Sequence, residues 1–526
     1  MVRIPSSSSL PTGTAGASTK AIRDPAPLDD GAGTSSGTTP RKKQSDGVDP
    51  GSQQASRIAG SDQVLPSHTR PEQRPGARAQ VDLTGWQPEA LKKTLLADIE
   101  RAFTLLRQLP PAVTFFGGAR IKPDDPFYEL SKAIGRRLAA SGIPPRTGAG
   151  PGIMTSVPQG YKEAKGHPQT GNAVYFAPVL EGFSEQASRD DTRTQGFNIL
   201  LPHEQGLNDA IDTATELVMF PYRKLALYEN VRGLVTFPGG FGTLDELFEV
   251  WSLAVRGRHS DPMAVIGKTF WQPLLDTIEQ VAVRDRQLLD PAQLSLIQVT
   301  DDPDELVSYL ASDHEVRGFE HDPVQSAMRM SAEISDAIDL LDRLPEAVTF
   351  IGGHRLDPAD PACKVAEHLA QVLQRDGQAL RVGGAGPTAR AVTAGALAAD
   401  PDARVQGFLL SDEDGGKALP GLEVHKIFDE PVTHRAVIGS RCKAFVALPG
   451  GVGTLDELFT VLCQVQTGKM KKMPIVLIGS DYWQPILDAI RRSMLSGERQ
   501  TIAPGDLDLV TVTDDAAAAA RLIRGG

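Results

Sequence analysis

A glycine-rich turn between a strand and a helix is the part of this chain best suited to chemistry. The apolar run 233–237 predicts a buried parallel strand, which stops at Pro238, and an amphipathic helix opens at Gly242. A helix start of this kind offers free backbone N–H groups and the positive end of the helix dipole, which together favour anions. Arg223 and Lys224 lie upstream and add two cations that could reach the same turn. The pattern predicts an anion-binding site.

A second glycine-rich run, GAGPGIM at 148–154, also leads from a predicted strand into a predicted helix. Glycine allows the positive φ angles and the close backbone approach that a ligand-binding loop needs. Taken alone, the run could equally be a tight turn with no ligand.

The chain is a duplication. Residues 445–459 repeat 234–248 almost letter for letter, and 344–361 repeat 109–126 in the same way. We therefore predict two copies of one unit, over 85–316 and 317–526, behind a leader over 1–84.

The elements that must position these turns alternate along each copy. In the first copy we predict strands over 112–116, 174–177, 197–201 and 262–266, with helices over 128–140 and 271–283. Strands that alternate with helices, with glycine turns after strand ends, indicate a doubly wound parallel sheet. The predicted fold class is α/β, with two tandem Rossmann-like doubly wound parallel-sheet domains.

Composition argues against several classes of function. The 526 residues carry a net charge of -12, which argues against a general nucleic-acid binder, although a local basic pocket remains open. No apolar run is long enough to span a bilayer, so no membrane partner is expected. The three cysteines have no metal-type CxxC spacing, which fits a reducing compartment and a cytoplasmic location.

The leader is rich in Ser, Thr, Pro and Gly and has no aromatic residue through position 84. Such a segment cannot bury enough apolar surface to offset its ordering entropy, so we predict disorder. It is either a linker or a secretion leader of the kind that bacterial type III effectors carry, and composition alone leaves both open.

Three motifs in order resemble the LONELY GUY family of cytokinin-activating phosphoribohydrolases, which are often labelled lysine decarboxylases. These motifs are PGGFGTLDE at 238–246, the Arg223-Lys224 pair, and the glycine run at 148–154, in which Ala149 replaces the family's middle glycine. The resemblance covers both copies, roughly residues 86 to 526. It implies hydrolysis of the N-glycosidic bond of a nucleoside 5′-monophosphate, such as a cytokinin riboside monophosphate or AMP, to free base and ribose 5-phosphate.

The resemblance also implies roles for particular residues. Arg223 and Glu246 would be the catalytic pair, and Lys224 would support substrate binding. A carboxylate near the ribose can stabilise the oxocarbenium character that develops as the glycosidic bond breaks. The remaining residues of the implied substrate and phosphate site are Gly148, Gly150, Gly152, Met154, Gly239, Gly240, Gly242 and Thr243.

Alternatives to these roles exist. Thr243 and Glu246 have the spacing of a helix capping box, in which Glu246 would be structural. A non-catalytic nucleotide-binding module is the alternative function, and the presence of both Arg223 and Glu246 favours the enzyme. Neither a metal nor a cofactor is predicted, because the histidines are scattered and the chain has no P-loop, no GxGxxG run and no recognisable Schiff-base lysine.

The second copy departs from the pattern. His434 stands where the first copy has Arg223, Arg435 where it has Lys224, and Thr388 where it has Gly152. We therefore expect a degenerate copy. Because family members are homodimers, we also expect the second copy to pack on the first as an intramolecular pseudo-dimer, with further self-association left open.

Overall fold

The computed structural model describes residues 86–167, 174–175, 193–201, 206–312, 323–412, 419–497 and 499–525. All of them fall within one compact unit that spans Val64–Gly526. The leader predicted over 1–84 lies outside the described residues. So does the predicted boundary at 316/317, which stays a prediction.

The first repeat alternates helices and strands. Its elements are α1 (Pro88–Leu106), β1 (Ala112–Phe116), α2 (Pro126–Ala140), β2 (Pro145–Thr147), α3 (Ile153–Lys165), β3 (Val174–Tyr175), β4 (Gln195–Ile199), β5 (Thr213–Leu217), α4 (Phe220–Tyr228), β6 (Val231–Thr236), α5 (Phe241–Val255), β7 (Met263–Val265), α6 (Lys268–Ile278), α7 (Pro291–Leu294), β8 (Ile297–Val299) and α8 (Pro303–Ala311). A π-helical segment, Glu279–Arg284, continues α6.

The second repeat follows the same order. Its elements are α9 (Pro323–Arg343), β9 (Ala347–Ile351), α10 (Pro361–Arg375), β10 (Ala379–Val382), α11 (Pro387–Ala399), β11 (Val405–Leu410), β12 (Leu422–Phe428), α12 (Pro431–Ile438), β13 (Cys442–Ala447), α13 (Val452–Gln466), β14 (Ile475–Leu477), α14 (Ser480–Ile490), β15 (Val510–Val512) and α15 (Ala516–Gly525). A π-helical segment, Arg491–Leu495, follows α14, and a 3₁₀ segment, Pro504–Leu509, precedes β15.

Each repeat is built on its own parallel sheet. The strand order is β3-β5-β4-β2-β1-β6-β7-β8 in the first sheet and β12-β11-β10-β9-β13-β14-β15 in the second. In both, the order reverses beside the repeat's first strand, β1 or β9. Ligands of open α/β sheets bind at such a switch point, outside the carboxyl ends of the strands. The predicted fold class, two tandem doubly wound parallel sheets, is confirmed.

Several predicted boundaries were wrong by a few residues. Helix α2 begins at Pro126 rather than Tyr128, because the Asp125 side chain accepts the Phe127 N–H at 2.8 Å and proline fits the first helical turn. Strand β4 begins at Gln195 rather than Phe197, since its polar first residues are buried between β2 and β5. Of the strand predicted over 174–177, only 174–175 are described, and they form β3.

Equivalent helices of the two repeats face one another. Helix α1 packs on α9, α4 on α12, α5 on α13 and α6 on α14. At the centre, the Phe459 ring stacks on Phe248 at 5.2 Å between centroids and meets Phe241 edge-on at 5.7 Å. One hydrophobic core therefore runs through both repeats. Among the described residues, no helix is long and apolar enough to cross a membrane.

Candidate active site

Three glycine turns of the first repeat meet at the switch point of its sheet. The Gly118 N–H, just after β1, donates to the Pro238 carbonyl, just after β6, at 2.9 Å. The Ile153 N–H, at the start of α3, donates in turn to the Gly118 carbonyl at 3.4 Å. The two motifs predicted separately from the sequence are thus brought together through the turn after β1.

Gly152 is required by its geometry. Its φ is +69°, and a Cβ there would collide with the Gly118 carbonyl oxygen. Ala149 has a φ of +59°, a conformation that costs a residue with a side chain about 1–2 kcal/mol. This is the position where the family motif has a glycine.

Asn208 fixes the same loop and was not found from the sequence. Its side-chain amide donates to the carbonyls of Gly150 at 2.7 Å and Met154 at 3.1 Å, while its backbone N–H donates to Ala149 O at 3.0 Å. A lone asparagine between two strands gives no sequence signal for this role.

Helix α4 carries Arg223 into the site. The Arg223 guanidinium donates through Nε to the Phe197 carbonyl of β4 at 3.2 Å and through Nη1 to Glu246 Oε1 at 2.7 Å. Both side chains are buried. A Cβ on Gly148 would collide with the guanidinium, so that glycine makes room for the arginine. The structure therefore joins Arg223, Glu246 and the second glycine turn.

Asp98 of α1 positions α4. Its Oδ2 accepts the N–H groups of Val218 at 2.8 Å and Met219 at 2.6 Å, which immediately precede the helix. Burial raises the pKa of Asp98 to about 6, and the two backbone amides offset part of that shift. The sequence did hold a signal, because Asp98 lies on the apolar stripe of α1 beside Leu95, where an acid is unexpected.

Glu246 is not a capping residue. Helix α5 begins at Phe241 with Gly240 at its N-cap, so Thr243 and Glu246 already lie inside the helix. The capping-box alternative is therefore wrong, and the Glu246 carboxylate binds Arg223 instead. Burial raises the pKa of Glu246, and the adjacent Arg223 only partly counteracts the rise.

The first turn of α5 forms the floor of the site. The N–H groups of Thr243 and Leu244 both donate to Gly240 O at 3.0 Å, and the helix start has no side-chain cap among the described residues. The Thr243 hydroxyl lies so close over Gly239 that a Cβ there would collide with it. The second repeat approaches from the other side, where Thr501 O would contact a Cβ on Gly240 at 2.7 Å.

Lys224 does not share the site of Arg223. Its ammonium binds Asp245 at 2.8 Å, Glu249, and Thr460 of the second repeat at 3.2 Å. Burial lowers the pKa of Lys224, but the adjacent carboxylates outweigh burial and raise it above its usual value. We therefore revise the expectation that Lys224 binds substrate, because its charge is used between the repeats.

The network around Lys224 continues into the second repeat. Arg435 donates to Glu249 at 2.6 Å and to Asp456 at 2.9 Å. The carboxylate oxygens of Asp245, Glu249 and Asp456 lie within 4.8 Å of one another, a spacing that could suit a metal ion. A cation would have to displace Lys224 or Arg435, which already neutralise two of the three charges.

The second repeat has a different residue in the position of Arg223. His434 Nε2 lies 3.1 Å from the Phe408 carbonyl, which repeats the Arg223–Phe197 contact, but its Nδ1 is 3.6 Å from Glu457 Oε1. Burial lowers the pKa of His434 to about 4, so the ring is neutral at pH 7.

A protein-family model described as "possible lysine decarboxylase" matches residues 180–310 and 391–523, once in each repeat. Together the two matches span half of the chain. The chain belongs to this family. The predicted resemblance and the tandem duplication are thereby confirmed. The match assigns no role to individual residues, so all the site roles predicted from the sequence stay predictions.

Curated relatives carry a more specific name. A cytokinin riboside 5′-monophosphate phosphoribohydrolase of Rhodococcoides fascians is 29% identical over 185 residues, which cover 34% of this chain and 90% of that protein. A probable cytokinin riboside 5′-monophosphate phosphoribohydrolase of Oryza sativa subsp. japonica, LOGL2, is 29% identical over 112 residues, covering 21% of this chain and 43% of that protein.

Two solved structures are also similar to part of this lysine-decarboxylase-family chain. The X-ray structure of TM1055 has 21% identity and a TM-score of 0.25, covering 38% of this chain and 96% of that one. The molybdenum cofactor binding protein of Rippkaea orientalis has 16% identity and a TM-score of 0.25, covering 39% of this chain and 97% of that one.

Proposed function

We propose that the first repeat hydrolyses the N-glycosidic bond of a nucleoside 5′-monophosphate, giving free base and ribose 5-phosphate. The observation that carries the proposal is the buried Arg223–Glu246 pair, held at 2.7 Å beside two glycine turns at the switch point of the sheet. The names of the curated relatives support the same reaction class.

The phosphate would bind at the start of α5. The N-cap Gly240 and the glycines around it leave the first backbone amides open to an anion, and the Thr243 hydroxyl adds a donor. Fixing the phosphate would hold the ribose near Glu246, so that binding energy from a non-reacting group favours the reacting geometry.

Glu246 would stabilise the charge that develops on the ribose. As the C1′–N bond breaks, its electron pair leaves with the base, the base takes a proton, and the oxygen of water adds to C1′. A carboxylate close to C1′ favours the oxocarbenium-like transition state and can orient the attacking water. The Arg223 guanidinium holds that carboxylate in one orientation through Nη1.

A panel of nucleoside 5′-monophosphates tests the proposal, with free base and ribose 5-phosphate quantified for each. We expect equal amounts of both products from at least one substrate and a far poorer rate with the matching nucleoside. Comparing a cytokinin riboside monophosphate with AMP would identify the preferred base. Release of base at equal rates from nucleoside and nucleotide would contradict phosphate anchoring.

The pH profile offers an independent check. Because burial raises the pKa of Glu246 above its ordinary value of 4.5, the acid limb of kcat/KM should lie above pH 4.5. Activity should fall as the pH falls through that pKa, since protonation removes the negative charge. An acid limb at or below pH 4.5 would exclude Glu246 as the titrating group.

We also propose that the second repeat serves as the partner subunit of the first. Arg499 of the second repeat binds Asp125 at 2.6 Å, and Thr501 closes over Gly240. A fragment over 86–316 would expose the apolar faces of α4 and α5, so we expect it to be insoluble and inactive. An active, monomeric fragment would contradict this role.

The location of the protein stays a proposal as well. We propose a cytoplasmic location, with type III export as the alternative that the leader's composition leaves open. Fusing residues 1–84 to a translocation reporter tests export directly.

A further inference from the structure

The second repeat encloses a cavity of about 380 Å³ at the carboxyl end of its own sheet. Small-molecule sites have volumes of about 300 Å³ and above. Leu288, Val382 and Val452 contribute apolar surface to its lining. Its floor is formed by the turns that follow β9, β10 and β13. This is the position that corresponds to the candidate active site of the first repeat.

Two long helices begin at this cavity. Helix α11 has Gly386 at its N-cap and α13 has Gly451, and neither start has a side-chain cap among the described residues. Both glycines line the cavity, as do Gly352 and Gly353 after β9. Two uncapped helix starts that meet at one cavity create an environment for an anion, and a phosphate is the anion that such turns commonly bind.

Thr388 provides an independent sign of a ligand. It lines the cavity and is only 5% exposed, and its hydroxyl has no hydrogen-bond partner among the residues that the structure describes. Leaving a buried hydroxyl unpaired costs about 1–3 kcal/mol. A phosphate oxygen over the Gly352 turn, which the hydroxyl already covers, would supply the missing acceptor.

The first repeat completes the same cavity. Ser252 and Arg256, at the end of α5, line it beside Gly453, and Arg256 binds Asp412 of the second repeat at 2.8 Å. Both repeats therefore contribute to the walls of this cavity. Its occupant should also contact residues of both.

The cavity lacks the pair proposed for catalysis. His434 stands where the first repeat has Arg223, and its buried ring ends with Nδ1 3.6 Å from Glu457 Oε1. A ligand held here by its phosphate would remain intact, because the arginine of the pair proposed for catalysis is replaced by histidine.

We propose that the second repeat binds a phosphomonoester of the size of a nucleoside 5′-monophosphate without cleaving it. This site goes beyond the proposed function, because its existence does not depend on hydrolysis in the first repeat.

Counting bound AMP by isothermal titration tests the proposal in the full chain with Glu246→Gln, which slows turnover in the first site. We expect two AMP molecules per chain. Adding Gly453→Leu should reduce the number to one, because a Cβ there has only ordinary contacts at 3.6 Å and the longer side chain would fill the cavity. The matched variant Gly242→Leu, whose Cβ lies 3.7 Å from Cys463 Sγ, should remove the other molecule.

Two further probes identify the phosphate as the anchor. Inorganic phosphate should compete at the site that Gly453→Leu removes, and adenosine should not bind there. A single AMP per chain that Gly453→Leu leaves unchanged would overturn the proposal, and so would adenosine binding as well as AMP. Base release is measured separately, so a failure of the proposed hydrolysis would not affect the count.

Thr388→Val provides a second variant that retains the shape of the side chain. It should weaken AMP binding at the second site about fivefold, the equivalent of one ordinary hydrogen bond. It should not lower the unfolding temperature, since it removes an unpaired buried hydroxyl. Unchanged affinity with a lower unfolding temperature would overturn the role assigned to Thr388.

Discussion

The two repeats make the same contact with different residues. Arg223 and His434 each bond the carbonyl of a phenylalanine in the neighbouring strand, Phe197 or Phe408. The arginine also donates to the glutamate of the next helix, Glu246, at 2.7 Å, whereas the nearest ring nitrogen of His434 lies 3.6 Å from Glu457. The contact that anchors α4 or α12 to the sheet is therefore separable from the contact proposed for catalysis. The second repeat retains the anchoring contact but has a histidine in place of the arginine.

The glycine turns that precede α3 and α11 also differ between the two repeats. Helix α3 begins at Ile153 after Gly152 in a left-handed conformation, whereas α11 begins at Pro387, which corresponds to Pro151. Thr388 is therefore a helical residue, while its counterpart Gly152 is a turn residue. A residue with a Cβ cannot follow the path of Gly152 past the preceding turn, so the helix of the second repeat starts two residues earlier.

The largest expected difference between the repeats lies in their glutamates. Glu246→Gln should lower kcat/KM for base release about a thousandfold, because the amide cannot stabilise positive charge on the ribose. The matched variant Glu457→Gln should change it less than about twofold, because Glu457 lies in the second repeat, away from the ribose held beside Glu246. Steady-state kinetics on both variants measure the contrast. Equal losses from the two would mean that the repeats share catalysis.

A second prediction separates Lys224 from Arg223. Lys224→Met should destabilise the protein by roughly 3 kcal/mol, because it leaves buried carboxylates short of a cation, while KM should stay unchanged. Denaturant unfolding and substrate titration measure the two effects. Arg435→Met, in the corresponding position of the second repeat, is the control and should cost a similar amount. A raised KM with full stability would restore Lys224 to the substrate site.

A third prediction concerns the two carboxylates that accept backbone N–H groups just before α4 and α12. Asp98 accepts the amides before α4, and Glu333 of α9 accepts the Asp429 N–H before α12 at 2.7 Å. Replacing either by Ala should lower stability by roughly 1–2 kcal/mol. Only Asp98→Ala should also lower kcat, by about tenfold, since α4 carries the arginine proposed for catalysis and α12 has His434 in that position. A loss of kcat in both variants would show that Glu333 also affects the first site.

The smallest expected effect compares the alanines of the glycine turns. Ala149→Gly should leave stability within about 0.5 kcal/mol of the parent, because relief of the left-handed strain offsets the entropy that glycine adds to the unfolded chain. Ala385→Gly should cost about 1 kcal/mol, since Ala385 has no positive φ to relieve. Thermal or denaturant unfolding of the pair measures the difference, and equal costs would contradict the strain at Ala149.

The sequence was sufficient for the fold and for the main members of the candidate site. Local sequence patterns predict strands β1 and β6, the glycine turns and the duplication. Hydrophobic periodicity and the residue types that form turns involve only neighbouring positions, so a single sequence is enough to find them. Successive residues on a helix point about 100° apart, so Arg223 and Lys224 could not both face one ligand. Considering that angle would have predicted different surroundings for Arg223 and Lys224.

The contacts that complete the site could not be read from the sequence. Asn208 reaches a loop 58 positions away in the chain, and Thr501 approaches Gly240 from the other repeat. Such pairs depend on how whole elements pack, which no local pattern encodes. The cavity of the second repeat was missed for a related reason. Departures from a motif indicate that catalytic residues are replaced, but they do not show whether a binding cavity is still present.

Because both repeats belong to one chain, a single codon change alters one half of the pseudo-dimer and not the other. In a dimer of identical chains, every replacement appears in both halves, so a histidine in place of Arg223 would remove the arginine from both sites at once. Here Arg223 and His434 are encoded separately, although they lie in matching positions around a shared core. One half can thus acquire a new task while the other keeps its original one, without a second gene and without the problem of matching unlike partners.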